Sequence, residues 1–164
     1  MSARLFRVQR FAALFLTVLV TAFALLATSA VVAPDADAAS KRKIRHAMKV
    51  AKNQIGDSYS YGSDGPNRFD CSGLFYFAFK KRSGVHVPRT AADQFRHARR
   101  IPKKNMRKGD LMFFDSGSGV YHMGMFVGRR DGKRVILHSP STGQRVHRSK
   151  IWTNDWKAAT LRRR

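Results

Sequence analysis

Between Lys41 and Ile55 the apolar residues Ile44, Ala47, Met48, Ala51 and Ile55 recur at the spacing of one helix face, and Gly56 ends the run. A loop containing Gly62, Gly65 and Pro66 then gives way to Leu74-Phe75-Tyr76-Phe77-Ala78-Phe79, which predicts a second helix from Cys71 to about Lys81, ahead of Gly84. Pro88 to Phe95 predicts a third, with Thr90 as N-cap and Asp93 reaching back to it. After Ile101-Pro102 the period shortens. Gly109 to Asp115, His122 to Gly128 and Arg134 to His138 are short apolar runs suited to strands. Ser116 to Gly119 makes the first turn between them, and Arg129-Arg-Asp131-Gly132 signals a hairpin. Helices followed by an antiparallel meander define an α+β plan.

The N-terminus follows a different rule. Arg4, Arg7 and Arg10 precede a chargeless stretch from Phe11 to Ala33, and Ala36-Asp37-Ala38 offers a small-x-small cleavage site. Residues 1–39 therefore read as a secretory signal, which leaves residues 40–164 as one domain in a secreted, wall-associated protein. The run is also long enough to span a bilayer, so an uncleaved signal would make it a membrane anchor. Charge adds a second constraint: the net charge is +22 and glutamate is absent. The basic pairs are spread along the whole chain, with no basic arm and no interleaved aromatics. That distribution argues against nucleic acid and toward contact with anionic envelope polymers, although compositional bias would look the same.

Cys71 is the only cysteine. A lone thiol in an exported chain needs a reason, and one at a helix start faces unpaired N–H groups and the positive dipole end. Those surroundings, with a nearby imidazolium, favour the thiolate. Of the six histidines, His46, His86, His97 and His147 lie in polar or basic surroundings and read as solvated. His122 opens one predicted strand and His138 closes the next, so antiparallel pairing brings the two imidazoles side by side. A cysteine nucleophile needs a base and a group to hold that base, and Cys71, His122 and His138 supply the set. Without a second cysteine or a His-x-x-x-His pair, a structural zinc is not expected, and no cofactor is implied. Asp70 and Ser72 suit helix capping, Asp110 suits a turn, and Tyr61 reads as a core aromatic.

Several motifs stand in a fixed order: Tyr59-x-x-Gly62, Asp70-Cys71-Ser72-Gly73-Leu74, Val87-Pro88-Arg89-Thr90, Gly109-Asp110-Leu111 and His122-Met-Gly-Met-Phe-Val-Gly128. From about His46 to the C-terminus the chain resembles the NlpC/P60 family of cell-wall cysteine peptidases. The resemblance implies a papain-like fold and hydrolysis of peptidoglycan stem peptides, usually between D-γ-glutamate and diaminopimelate or lysine. It implies Cys71 as nucleophile, His122 as general base and His138 as the residue orienting that base. By the same resemblance, the Tyr59 hydroxyl helps bind the oxyanion beside the Cys71 N–H, and Asp70 and Ser72 contact the substrate stem. The chain departs from the pattern at Gly62-Ser63, where Gly-Gly is usual, and in its hairpin from Arg129 to Lys133, which is longer than common.

The motifs leave the scissile bond open. The same thiol chemistry serves an N-acetylmuramoyl-L-alanine amidase or an acyltransferase, because the acyl-enzyme steps are shared. A non-catalytic basic envelope-binding protein is the alternative from outside enzymology, and the intact Cys71, His122 and His138 argue against it.

Overall fold

The computed structural model describes residues 36–162, and the apolar N-terminal run lies outside them. Helix α1 spans Ala36–Asn53 and buries Ile44, Ala47 and Ala51, the stripe that the spacing predicts. It starts five residues earlier than expected. Ala36, Ala38 and Ala39 are strong helix formers, and Asp37 pairs with Lys41 one turn on. The expected cleavage motif thus occupies the first turn of α1. Ile55 lies beyond the helix end and is exposed. Among the described residues no helix is long and apolar enough to cross a membrane.

Two short strands, β1 (Ser58–Tyr59) and β2 (Arg68–Phe69), pair in parallel and bracket the glycine-rich loop. Helix α2 begins at Cys71, runs as α-helix to Phe75 and continues as π-helix over Tyr76–Lys81. Helix α3 (Ala91–His97) carries the predicted cap: Thr90 Oγ1 accepts from the Asp93 N–H and donates to the Asp93 carboxylate.

The remaining strands form one six-stranded sheet. They are β3 (Arg99–Ile101), β4 (Leu111–Asp115), β5 (Val120–Arg130), β6 (Lys133–His138), β7 (His147–Lys150) and β8 (Trp156–Thr160). Their order is β3-β8-β4-β5-β6-β7, so the predicted meander is intact and the last strand returns to cover the far edge of β4. The sheet is apolar on both faces. Leu111, Phe113, Met123, Met125 and Leu137 pack with the helices, while Met112, Phe114, Phe126 and Ile136 pack under Trp156. A strand buried on both sides reads as an unbroken apolar run, which is why Leu111-Met-Phe-Phe stood out in the sequence.

The β5–β6 hairpin closes at Asp131-Gly132, between the paired residues Arg130 and Lys133. Both tip residues have positive φ, 50° and 73°, the signature of a two-residue type I′ turn. The loop itself is therefore as short as such loops get. The extra length belongs to the strands, which carry a register shift between Phe126 and Gly128.

Asp110 does more than turn the chain. It is buried at the entrance to β4, where it accepts from the Arg107 N–H (2.6 Å), from the Thr160 hydroxyl (2.6 Å) and from Arg162. It ties β8 and the end of the described chain to the sheet.

Candidate active site

Cys71 is positioned by its neighbours on both sides. Upstream, the β1–β2 register sets Tyr59 opposite Phe69, two residues before Cys71. The loop between the strands folds back so that the Asp70 N–H donates to the Ser63 carbonyl (2.9 Å). Downstream, Gly73 has no room for a side chain. A Cβ there would sit 2.1 Å from the Ser63 carbonyl oxygen and 3.0 Å from both Arg89 Nη2 and Asp70 Oδ1. The glycine of Asp-Cys-Ser-Gly is thus a packing requirement of the loop pressed on the helix start. Gly73→Ala is expected to cost about 3 kcal/mol or more, since the obstacle is backbone that cannot step aside. Urea denaturation checks this, and an unchanged midpoint would mean that the contact relaxes freely.

Asp70 is the N-cap of α2. Its carboxylate accepts from the Gly73 N–H (2.6 Å), the Gly62 N–H (3.0 Å), the Ser72 hydroxyl (3.1 Å) and both terminal nitrogens of Arg89 (3.1 and 2.6 Å). Burial opposes its ionisation, but the bonds from Arg89, Gly73 and Ser72 prevail and hold the carboxyl below its ordinary range. Ser72 is buried as well, donating to Asp70 and accepting from Arg89 Nη1 (3.0 Å). In this structure Asp70 is occupied as the cap and Ser72 in joining that carboxylate to Arg89. Arg89, singled out in the sequence only as part of a motif, is the cation of the site: it is held charged by Asp70 and lies within electrostatic reach of Cys71. Gln94 on α3 is fully buried and donates to the Ser72 carbonyl (3.0 Å), pinning α3 to the start of α2.

The thiol contradicts the expectation of a stabilised thiolate. Burial pushes its pKa up and the Asp70 carboxylate adds to the rise, against the N–H groups of Met123, Ser72 and Cys71 itself. The physical reason is the cap. Asp70 already sits at the positive end of α2 as the resident anion, so a second negative charge beside it is disfavoured. The Met123 contact also locates the thiol, because Met123 follows His122 on β5.

His122 and His138 meet, although not as direct cross-strand partners. The register pairs Met125 with Leu137, His122 with Phe114 and His138 with His147, so the two imidazoles approach on the diagonal. His122 Nε2 lies 2.9 Å from His138 Nδ1, and both rings are buried. That contact occupies Nε2 and leaves Nδ1 as the His122 ring nitrogen available for proton transfer. Burial lowers the His122 pKa to about 4. Burial, then His122 and His147, lowers that of His138 to about 3. All three shifts run toward the neutral forms, thiol and imidazoles alike.

Tyr59 lies within electrostatic reach of Cys71. Burial first, then the proximity of Cys71, Asp70 and Tyr61, raise its phenol pKa, so its hydroxyl stays a proton donor near the sulfur. Tyr61 is the opposite of the expected core aromatic: it is 89% exposed, carried outward by the loop. His147, expected in solvent, is half-buried with its ring edge-on to His138 at 4.8 Å.

Trp152 escaped notice in the sequence, where it stands in a polar stretch. Its indole stacks on Phe114 at 4.6 Å and on His138 at 5.6 Å, and lies 5.9 Å from the His122 ring. It covers one side of the histidine pair. Among the described residues no group of three or more His, Cys, Asp or Glu side chains is arranged to hold a metal ion.

A buried thiol at a helix start, bonded to the Met123 N–H, and an imidazole pair that begins at the preceding residue of β5 are the parts that acyl transfer by a cysteine requires. The family model that matches is that of the NlpC/P60 family, over residues 56–164. The chain belongs to the NlpC/P60 family. Its α+β architecture is that family's papain-like fold. Over 128 residues it is 38% identical to murein DD-endopeptidase MepH of Escherichia coli, covering 73% of this chain and 46% of MepH. Over 95 residues it is 40% identical to the γ-D-glutamyl-L-lysine dipeptidyl-peptidase of Bacillus subtilis, covering 56% of this chain and 30% of that enzyme. Among solved structures, the peptidoglycan hydrolase RipB of Mycobacterium tuberculosis superposes with a TM-score of 0.65 at 25% identity, covering 77% of this chain and 68% of that one. The chain spans less than half the length of these curated relatives.

Proposed function

We propose that the chain is a secreted peptidoglycan hydrolase, a cysteine endopeptidase that opens stem peptides through an acyl-enzyme. The observation that carries this reading is the relay itself: Cys71 against the Met123 N–H, with His122 bonded through Nε2 to His138. In the first step sulfur attacks the scissile carbonyl while His122 Nδ1 takes the thiol proton. The carbonyl oxygen gains the negative charge, within reach of the Cys71 N–H and the Tyr59 hydroxyl. Collapse breaks the C–N bond, His122 returns the proton to the leaving amine, and a thioester remains. Water, deprotonated by His122, then releases the new carboxylate and restores the thiol.

For the scissile bond we propose D-γ-glutamyl to diaminopimelate or lysine. The names of the relatives support wall peptides as substrates but differ over the bond, one being a DD-endopeptidase and another a γ-D-glutamyl peptidase. Digestion of purified wall, labelling of new amines and mass analysis of the fragments decide the matter. The α-amine of the third stem residue is the expected product. Label on L-alanine would replace the reading with an amidase, and label on an amine of a cross-link would replace it with a DD-endopeptidase.

The same proposal places the protein outside the membrane and bound to anionic wall polymers by its net charge of +22. Secreted material should begin at Ala39 or Ser40, and its binding to wall should weaken steeply as salt rises, because exposed charges are screened beyond about 8 Å at physiological ionic strength. A full-length membrane-bound protein, or binding indifferent to salt, would refute the corresponding half.

A further inference from the structure

The histidine relay does not end at His138. On β7, Ser149 Oγ lies 3.0 Å from His138 Nε2, the nitrogen that faces away from His122. We propose that Ser149 is a positioning residue whose hydroxyl oxygen holds His138 protonated at Nε2, and thereby keeps His122 in the tautomer that accepts the Cys71 proton. The inference rests on the cysteine-peptidase reading and extends it to a residue outside the triad.

A neutral imidazole offers one donor and one acceptor, so the hydrogen bond at one nitrogen fixes the role of the other. Two proton arrangements satisfy the chain from His122 to Ser149. In the first, His122 Nε2–H donates to His138 Nδ1, and His138 Nε2–H donates to Ser149 Oγ. In the second every bond runs the other way, and His122 carries its proton on Nδ1. Only the first leaves His122 Nδ1 bare and able to receive the thiol proton. Once it has done so, His122 is a donor at both nitrogens and only the first arrangement survives. An oxygen that accepts at His138 Nε2 is therefore required in the step that matters.

The surroundings leave that task to Ser149. His147, edge-on to His138, donates through Nδ1 to the Arg145 carbonyl at 2.8 Å and keeps an accepting Nε2, but the hydrogen bond found at His138 Nε2 is with Ser149. Trp152 covers the face of the His138 ring and not its nitrogens. Ser149 is half-buried, so its own proton has solvent to turn to while its oxygen accepts. The strand register places it by construction: His138 pairs with His147 and Ile136 with Ser149, so a side chain two residues past His147 returns to the same face.

Ser149→Thr and Ser149→Val test the inference, since they have the same shape, both suit a strand, and only the first keeps the hydroxyl. The Thr variant should retain kcat/KM within about twofold. The Val variant should lose about ten- to a hundredfold, in kcat and not in KM, the range commanded by groups that orient metal-bound histidines elsewhere. The ¹⁵N shifts of histidine-labelled protein should show His138 protonated at Nε2 in wild type and Thr, with a growing Nδ1–H population in Val. The inference is overturned if Val and Thr give the same tautomer pattern, or if the pattern changes while the rate does not. The rate is read both on purified wall and as Cys71 alkylation by iodoacetamide, which needs no wall substrate. A protein whose alkylation follows the tautomer but which leaves wall intact would refute the peptidase reading and sustain this one.

Discussion

Cys71→Ala is expected to abolish wall hydrolysis, by at least about 10⁴-fold, while the protein keeps its melting temperature within a few degrees. The thiol contributes little to the fold, since its position is set by the Asp70 cap and by the packing of Gly73, and Ala is a good helix residue. His122→Ala should be nearly as damaging. The neutral thiol then has nothing to take its proton during attack, and the leaving amine has nothing to donate one. Tyr59→Phe should be milder, about 10²-fold in kcat, because one oxyanion donor is removed while the backbone donor remains. His138→Ala should fall between the two, since it removes the partner of His122 Nε2 but not the base. Release of soluble fragments from purified wall, followed alongside thermal melts, measures all four. Equal activity from the Cys71→Ala protein would end the cysteine-peptidase reading, however well the variant folds.

Sequence was most informative where a local rule fixes a local shape. Thr90 with Asp93, and Asp131 with Gly132, combine residue types with few other uses, and each forms the cap or turn predicted for it. His122 and His138 were found because strand pairing converts a distance along the chain into contact. The diagonal offset was hidden, since it depends on a register shift after Phe126 that no residue announces. Strands β3 and β7 leave no pattern in the sequence for a plain reason. Arg99-Arg-Ile and His147-Arg-Ser-Lys are edge strands with mostly exposed side chains, so neither buries enough to show a period. The same lack of pattern conceals Ser149, and with it the far end of the relay. The dipole rule taken alone favours the thiolate at Cys71, but burial and the Asp70 carboxylate, one residue earlier at the same helix end, count against it. Trp152 and Arg89 act through contacts across the fold, with Phe114 and with Asp70, which spacing along the chain does not disclose.

Acid should remove activity and stability at different points, and the difference identifies the base. His122 titrates at about 4 in the folded protein because burial disfavours its charged form. A solvated base with an ordinary pKa near ~6.5 would lose activity below that value. Here kcat/KM should stay level from pH 7 down to about 5 and fall about tenfold per unit only below about 4, as His122 takes up a proton and can no longer accept one from Cys71. Stability begins to fall sooner. Between ~6.5 and 4 the unfolded chain binds a proton at His122 that the folded one refuses, so stability rises with pH across that window and is lost as pH falls through it. For His122 the loss amounts to about 3 kcal/mol, and it is complete once pH reaches the folded value. His138, at about 3 through burial and then the nearby His122 and His147, carries the decline further into acid. Urea titrations at pH 7, 6, 5 and 4, with rates taken at each pH and again after return to pH 7, separate reversible protonation from unfolding. An acid limb near pH 6.5 in kcat/KM, with stability flat down to pH 5, would mean that His122 is solvated and that the Trp152-covered pair does not persist in solution.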